Sequence, residues 1–574
     1  MPDPVNNQMV KPRLRSQEWF GQPGYYGMAR RAWLRSEGFN RDVFDGRPVI
    51  GICNSWSELN NCNAHLRTVA EAVKRGVWAA GGLPLEFPTI SLGEMYMRPT
   101  TMLYRNLMAM DVEESIRANP IDGVVLLCGC DKTTPAQLMG CASADIPAIV
   151  VPGGPMLSGQ WRNQRLGSGT DGRKLFDLFR AGKLSEEAWQ EVEGCISRSA
   201  GHCTVMGTAS TMTSLAEALG MTLTGCANIP APDSRRLAIA EKSGHRIVEM
   251  VAEDLRPSRV MTKKALENAI VVDMAIGGST NAVVHLLAIA GRLGVDLHLD
   301  EFDGISQRTP YIANIKPSGA YLMEDFFYAG GLPAVMRELL PNLHGDCMTV
   351  TGKTVRENVE DAECYNREVI RTLAAPLHPE GGTIVLHGNL APDGAVLKQT
   401  AASPRLLQHR GPAYVFESNE QMLAEIDRED LPVTKDSVLV MKNCGPKGAP
   451  GFPEWGHIPL PRVLLKQGID DIVRISDARM SGTSFGTVVL HVAPESAIGG
   501  PLALVQTGDM VELNAAARSL TLCVADDELQ RRRTAFVAPP PKYERGYGWM
   551  FLQHVTQANL GCDFDFLTDK RSAC

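Results

Sequence analysis

The sequence predicts an α/β fold in two parts, an N-terminal parallel-sheet domain and a C-terminal β-barrel-like domain. Three observations carry this reading. Between about Arg47 and Val151, short continuous apolar runs that stop at turn residues alternate with helical patterns, as buried parallel strands and their crossover helices do. From about Glu187 to Ala375 the texture is mostly helical. Beyond LAAPLHPEGG, β-rich pieces separated by Gly, Pro and Asp take over, which puts a boundary near Pro376–Gly382 and divides the chain into 1–378 and 379–574. With 574 residues, the chain is also past the ~250–300 at which a single core stops growing.

The elements follow in order. RPVIGICNSW reads as a strand entering a loop, and NAHLRTVAEAVKRGVWAAGG as a helix closed by Gly81–Gly82. IDGVVLLC and IPAIVVPGG are strands, with the helix TPAQLMGCASA between them. GTASTMTSLAEALG and STNAVVHLLAIAGRLG carry hydroxyl residues near their starts and glycine at their ends, the signals of capped helices. GTIVLHGNLAPDGAVLK, GPAYVFES, DSVLVMKN and DMVELNAAARSLTLCV supply the β-rich part. RRRTAFVAPPPKYERG reads as an irregular arm whose arginines form a solvated face. The aromatic-rich RGYGWMFLQHVTQANLGCDFDF is expected either at a subunit contact or docked on its own domain.

Composition excludes several classes. A formal charge of −8 on a chain this long gives no reason to expect nucleic acid or an anionic membrane as partner. No window approaches the ~18–20 apolar residues of a membrane helix. MPDPVNNQMVKPRLRSQEWF lacks the apolar core of a secretory signal, so the expected compartment is the cytoplasm. The 14 cysteines are scattered, which suits free thiols rather than a disulfide framework.

Chemistry concentrates in a few segments. In LLCGCDKTTPAQ an apolar strand stops at Gly129 and one turn then carries Cys130, Asp131 and Lys132. Cys62 in ELNNCNAHL and Cys203 in SAGHCTVMGTAS also precede helices, whose N-termini favour a thiolate. The spacing alone leaves two readings open, buried thiols or shared metal ligands. Glu94, Asp131 and Glu454 lie beside glycine- or proline-rich turns, as turn-stabilising acids or as oxygen ligands of a hard cation. Ser481 in SDARMSGTSFGT sits on a tight turn without the GxSxG of a nucleophile elbow, and no phosphate loop is present.

Seven motifs in order, SWSELNNCNAHL, GEMYMRPTTMLYRN, GCDKTTPAQ, GHCTVMGTASTM, GGSTNAVVHLLAIA, GPKGAPGFPEWG and DARMSGTSFGT, resemble the family of dihydroxy-acid, 6-phosphogluconate and sugar-acid dehydratases over nearly the whole chain. The resemblance implies that Cys62, Cys130 and Cys203 hold an iron–sulfur cluster of the 2Fe-2S type. It implies that Glu94, Asp131 and Glu454 bind Mg2+, together with a Lys132 carbamylated into an oxygen ligand. It casts Ser481, as alkoxide, as the catalytic base and Thr483 as a substrate-binding neighbour. It also implies a swivelling C-terminal barrel that completes an interdomain site, and a homodimer or homotetramer.

The wording leans toward the aldonic-acid branch, typified by arabinonate and xylonate dehydratases. His202 is then either a contact for a sugar hydroxyl or a histidine that hydrogen-bonds beside the cluster. The expected reaction removes water from a 2,3-dihydroxy acid to give a 2-keto-3-deoxy acid. Its rivals are a dihydroxy-acid dehydratase of branched-chain amino-acid synthesis and a catalytically silent iron–sulfur protein. A 6-phosphogluconate dehydratase is less favoured, because no basic cluster for a phosphate is evident.

Overall fold

The computed structural model describes residues 14–567. The fold is mixed α/β, with a parallel sheet in the N-terminal part and a closed barrel in the C-terminal part. The sheet contains β1 (Val49–Asn54), β2 (Leu83–Pro88), β3 (Gly123–Cys128) and β4 (Ala148–Pro152) in the order β2-β1-β3-β4, all parallel. β1, β3 and β4 are buried along their whole length, which is why their sequences are continuously apolar instead of alternating. β2, LPLEFP, carries no such signal. Its prolines fit because it is an edge strand that pairs on one side only.

Helices Leu66–Ala79 and Ser234–Glu253 pack tightly beside this sheet. Their approach depends on glycine: a Cβ on Gly76 would lie 1.8 Å from the Glu241 carbonyl oxygen, and one on Gly244 would lie 2.1 Å from that of Val73. β5 (Gly159–Trp161) and β6 (Gln164–Leu166) form a separate small ribbon.

The barrel contains β7 (Ile384–Gly388), β8 (Ala391–Leu397), β9 (Gln408–Phe416), β10 (Val438–Met441), β11 (Val473–Ser476), β12 (Val488–Leu490), β13 (Met510–Asn514) and β14 (Ser519–Leu522). It closes in the order β10-β11-β12-β8-β7-β14-β13-β9, around an interior that includes Leu386, Val440, Ile475 and Leu513. β9, β10, β11 and β12 run parallel, so the loops after β10 and β11 leave the same end.

Two C-terminal expectations need correction. The RRR run lies in a helix, Asp526–Ala535. Arg531 and Arg533 are exposed there, as a solvated face requires, while Arg532 is held down by ion pairs to Asp509 and Glu528. The aromatic-rich terminus reaches back to the N-terminal part instead of docking on the barrel alone. Tyr547 donates to the Leu103 carbonyl at 2.6 Å, Arg105 Nη2 donates to the carbonyls of Gly561 and Cys562 at 2.9 Å, and Gln557 Nε2 donates to Glu495 of the barrel part at 2.7 Å.

Arg292 and Asp563 complete this strap as a fully buried, bidentate pair, at 2.5 and 3.1 Å. Removing one partner leaves a buried charge uncompensated, at a cost of ~3–5 kcal/mol. Asp563→Ala is expected near the lower end, because Glu113 stays 3.3 Å from Arg292. The check is thermal unfolding with limited proteolysis, where the variant should melt earlier and be cut near the C-terminus first. An unchanged midpoint would show that the pair contributes nothing.

Asp273, on helix Lys263–Ile276, and Lys398, just after β8, are buried near enough to feel each other's charge without forming an ion pair. Among the described residues, neither carboxylate oxygen of Asp273 has a hydrogen-bond partner, and the Lys398 ammonium has none. Burial pushes Asp273 up to about 7 and pulls Lys398 down to about 8. Between the unfolded carboxyl value of ~3.9 and that raised value, the folded state keeps a proton the unfolded chain has lost, so Asp273 makes stability fall as pH rises. Asp273→Asn should flatten that slope in melting midpoints taken from pH 4.5 to 7.5, and a slope equal to the parent's would exclude Asp273 as its source.

Candidate active site

Four loops of the N-terminal part supply one half of the site. Cys62 follows β1, Glu94 follows β2, and Cys130, Asp131 and Lys132 follow β3, all beyond the carboxyl ends of parallel strands where such folds gather ligands. Cys203 comes from the loop before helix Thr208–Ala218. Cys62 and Cys130 also stand shortly before helices, Leu66–Ala79 and Thr133–Ala144.

The cysteines gather at one place. The Cys62 thiol beside it, and burial after that, push the Cys130 thiol well up, while burial first and then Cys62 push Cys203 up to about 12. Gly129 permits the approach of the Cys62 loop, because a Cβ there would lie 2.8 Å from the Cys62 carbonyl oxygen. Cys53 and Cys128 are core residues of β1 and β3 and stand apart from this group as buried thiols. The 13 cysteines within the described residues are all free.

The acids converge from both parts of the chain on one cation. The Lys132 ammonium, fully buried, lies 2.5 Å from Asp131, 2.9 Å from Glu454 and 3.4 Å from Glu94. Burial and the nearby Arg479 pull the Lys132 ammonium down, yet the three carboxylates outweigh both and hold it above its usual value. Burial likewise pushes against Glu454, but Lys132 and Arg479 keep it at about 2. Glu94 goes the other way, raised by burial beyond what Lys132 restores. Cys130 Sγ lies 3.3 Å from Asp131 Oδ1, so the sulfur and oxygen sets adjoin.

The loops after β10 and β11 bring Glu454 and Ser481. Asn281, at the start of helix Asn281–Leu293, ties them together through its side-chain amide, which donates to Glu454 Oε1, to the Met480 carbonyl, both at 3.0 Å, and to Thr208 Oγ1 at 2.9 Å. Arg479 Nη1 also donates to Glu454 Oε1 at 3.0 Å. Thr100 donates to Glu94 Oε1 at 2.9 Å, and the Thr101 hydroxyl donates to Oε2. Ser481 Oγ lies 3.0 Å from Thr483 Oγ1 and accepts from the Thr483 N–H at 3.4 Å. The Thr483 carbonyl accepts from Thr170 at 2.7 Å.

The predicted site residues therefore stand together, His202 through the Cys203 loop. His202 is fully buried, with Nδ1 3.2 Å from the Cys203 carbonyl and 3.3 Å from Ser210 Oγ, and burial holds it neutral at about 3. Nε2 of the same ring is buried and has no hydrogen-bond partner among the described residues, so this geometry leaves both roles of His202 open. Sequence reading passed over Asn281, Arg479, Thr100 and Thr101, although all four lie inside segments already singled out.

The donor sets match the groups that the resemblance implies. Three clustered thiols at helix starts suit an iron–sulfur cluster, and three carboxylates suit a hard divalent cation. Among the described residues no three Cys, His, Asp or Glu side chains already close on one point as around a metal; the acids point instead at Lys132 Nζ. That ammonium holds the centre together in the metal-free chain. Lys132→Met would leave three buried carboxylates facing only Arg479, and should cost metal-free protein ~3–5 kcal/mol, measured as a lower melting midpoint after chelation. A midpoint equal to the parent's would show that the acids do not depend on the ammonium.

Comparison with known proteins identifies the family. The family model for the N-terminal part of the dihydroxy-acid/6-phosphogluconate dehydratases matches residues 47–358, and the model for their C-terminal part matches 368–562. The chain is 54% identical over 557 residues to an L-arabinonate dehydratase of Rhizobium leguminosarum bv. trifolii, covering 97% of this chain and 96% of the relative. It is 52% identical over 557 residues to a 6-deoxy-6-sulfo-D-gluconate dehydratase of Pseudomonas putida, covering 96% of each. A dihydroxy-acid dehydratase of Caldanaerobacter subterraneus subsp. tengcongensis is 41% identical over 529 residues, covering 90% of this chain and 94% of the relative. The chain belongs to the dihydroxy-acid/6-phosphogluconate dehydratase family.

Proposed function

We propose that the protein is a hydro-lyase that removes water from a 2,3-dihydroxy aldonic acid and yields the 2-keto-3-deoxy acid. The observation that carries the reading is the Asn281 tie, which holds the Ser481 loop of the barrel against the acid centre of the N-terminal part. Relatives named for L-arabinonate and sulfogluconate share over half their residues with this chain, more than those named for dihydroxy acids of other kinds. That difference favours the aldonic-acid branch.

When bound, a 2Fe-2S cluster on Cys62, Cys130 and Cys203, and Mg2+ on Glu94, Asp131, Glu454 and a carbamylated Lys132, would supply Lewis acidity for the departing C3 hydroxyl and for the carboxylate end of the substrate. Ser481 takes the proton from C2. The C2–H electron pair forms the C2=C3 bond as the C3–O bond breaks, the hydroxide leaves as water after gaining a proton, and the enol tautomerises to the ketone. An ordinary serine is far too weak an acid to act as alkoxide. The Thr483 N–H and hydroxyl aimed at Ser481 Oγ favour its charged form, as hydrogen bonds to an anion do. Asn281 and Arg479 fix Glu454 and keep the two halves of the site in register.

Free thiols and the lack, among the described residues, of any helix long and apolar enough to cross a membrane favour the cytoplasm as the place of the reaction. Large exposed apolar side chains on helix Gly24–Ser36, Tyr25, Tyr26 and Trp33, favour a homodimer or homotetramer. No nucleic-acid or membrane partner is proposed.

The test is 2-keto acid formation by anaerobically purified, magnesium-supplemented protein, with pentonates and hexonates set against 2,3-dihydroxyisovalerate. An aldonic acid is expected to have the highest kcat/KM, and preference for dihydroxyisovalerate would overturn the branch. Ser481→Ala should lose at least ~10³-fold in kcat, in line with losses on removing an activated catalytic group, while the visible absorption of the cluster stays unchanged. Substantial residual turnover would end the serine's role. Iron and sulfide without activity on any acid would favour a silent iron–sulfur protein.

A further inference from the structure

Between β6 and helix Thr170–Arg180 runs a short segment, Gly167, Ser168 and Gly169, that touches both halves of the site. It is anchored on the N-terminal side. The Gly167 N–H donates to Asp171 Oδ2 at 2.6 Å, and Asp171 in turn pairs with Lys316 at 2.6 Å. The Lys316 carbonyl accepts from the Met206 N–H at 2.8 Å, which closes the circuit onto the loop that carries Cys203. A Cβ on Gly167 would lie 2.6 Å from Val205 Cγ1, so the segment and that loop are in contact. On the other side the segment meets the serine loop. A Cβ on Gly169 would lie 2.4 Å from Thr483 Oγ1, and the Thr170 hydroxyl donates to the Thr483 carbonyl at 2.7 Å.

Ser168 stands between these two anchors, buried beside Cys203. Its N–H donates to Thr204 Oγ1 at 2.9 Å, and its Oγ accepts from the Thr204 N–H at 2.8 Å. The two hydroxyl oxygens lie 3.2 Å apart. A hydroxyl has one proton to give and two lone pairs to fill. Thr204 fills both lone pairs of Ser168 Oγ through its N–H and its O–H, which leaves the single Ser168 proton for another acceptor. The Cys203 sulfur is that acceptor. Burial and then Cys62 push the Cys203 thiol up to about 12, and the hydrogen bond from the Ser168 hydroxyl pulls the other way. A metal-bound cysteine is a thiolate, which accepts and cannot donate, so ligation fixes the direction of this bond.

We propose that Ser168 is a positioning residue for the iron–sulfur cluster, whose hydroxyl donates to the Cys203 sulfur and sets how strongly that sulfur gives electrons to iron. The inference rests on the cluster reading above and concerns a residue outside the ligand set. A hydrogen bond to a ligating sulfur draws charge away from the metal, and is one of the levers by which a protein sets the potential of such a cluster. A bond to a thiolate is charge-assisted, roughly twice as strong as one between neutral groups. The same bond leaves the iron poorer in electrons, as a Lewis acid for a departing hydroxyl requires. Because Gly169 and Thr170 hold Thr483, three consecutive residues set both the donor to the sulfur and the neighbour of Ser481.

The test reads the cluster itself and not turnover. Reduction adds one negative charge, so the reduced form gains more from the donor than the oxidised form does. In an anaerobic redox titration of the holoenzyme, followed by visible absorption and electron paramagnetic resonance, Ser168→Ala should lower the ratio of reduced to oxidised cluster at a fixed potential. The expected loss is ~10-fold, which is ~59 mV for a one-electron couple. Ser168→Thr keeps the hydroxyl and should stay within ~3-fold of the parent. Iron and sulfide per chain should equal the parent's in both variants. An unshifted potential in Ser168→Ala, or an equal shift in both variants, would overturn the role. So would loss of the cluster from Ser168→Ala, which would make the serine part of the scaffold alone. A parent without iron and sulfide would overturn the cluster reading and this inference with it, whereas a loaded parent with an unshifted Ser168→Ala overturns this inference only.

Discussion

In the metal-free chain, a buried ammonium in contact with three carboxylates is the constraint on which the joining of the two parts depends. Lys132 has no exposed surface, and its partners Asp131, Glu94 and Glu454 come from three loops, the last more than 300 residues away in sequence. Charges taken out of water are tolerated only when paired and hydrogen-bonded. The barrel must therefore deliver Glu454 to the N-terminal part, and every neighbouring polar group must be positioned to serve the acids. Thr100 and Thr101 serve Glu94, and Asn281 and Arg479 serve Glu454. A fold that left the two parts free to separate would strand a cation on one side and an anion on the other.

The scaffold meets this demand with one device used twice. In the N-terminal sheet, the carboxyl ends of β1, β2 and β3 open into the loops of Cys62, Glu94 and Cys130. In the barrel, the carboxyl ends of the adjacent parallel strands β10 and β11 open into the loops of Glu454 and Ser481. The two sets of loops face each other, and the C-terminal strap keeps them so by binding Arg105 and Arg292 on one side and Glu495 on the other. Register within each sheet thus becomes register across the site.

The sequence revealed most where a physical signal was local. Continuous apolar runs marked β1, β3 and β4, and the sequence texture marked the hairpins β7–β8 and β13–β14. β2 stayed hidden because proline at an edge strand resembles a loop. Arg532 looked solvated because its partner Asp509 lies on a different element. The candidate site was legible only through the resemblance, since spacing alone could not tell ligands from buried thiols. Asn281, Arg479, Thr100 and Thr101 escaped notice for a common reason. Each acts through contacts made by chain folding, and none has a residue type that announces its role.

The position of Ser481 is set by backbone packing. A Cβ on Gly482 would lie 2.4 Å from the Thr208 nitrogen, and one on Gly169 would lie 2.4 Å from Thr483 Oγ1. Contact this close leaves the loop little freedom, as a general base that must meet one proton requires. Glu454 Oε1 meanwhile accepts from Lys132, Asn281 and Arg479. The neighbouring polar atoms are not all satisfied: Asn281 Oδ1 and Ser484 Oγ are buried without a hydrogen-bond partner among the described residues. A buried polar atom left unpaired costs ~1–3 kcal/mol, so the close packing of these loops is kept against that cost.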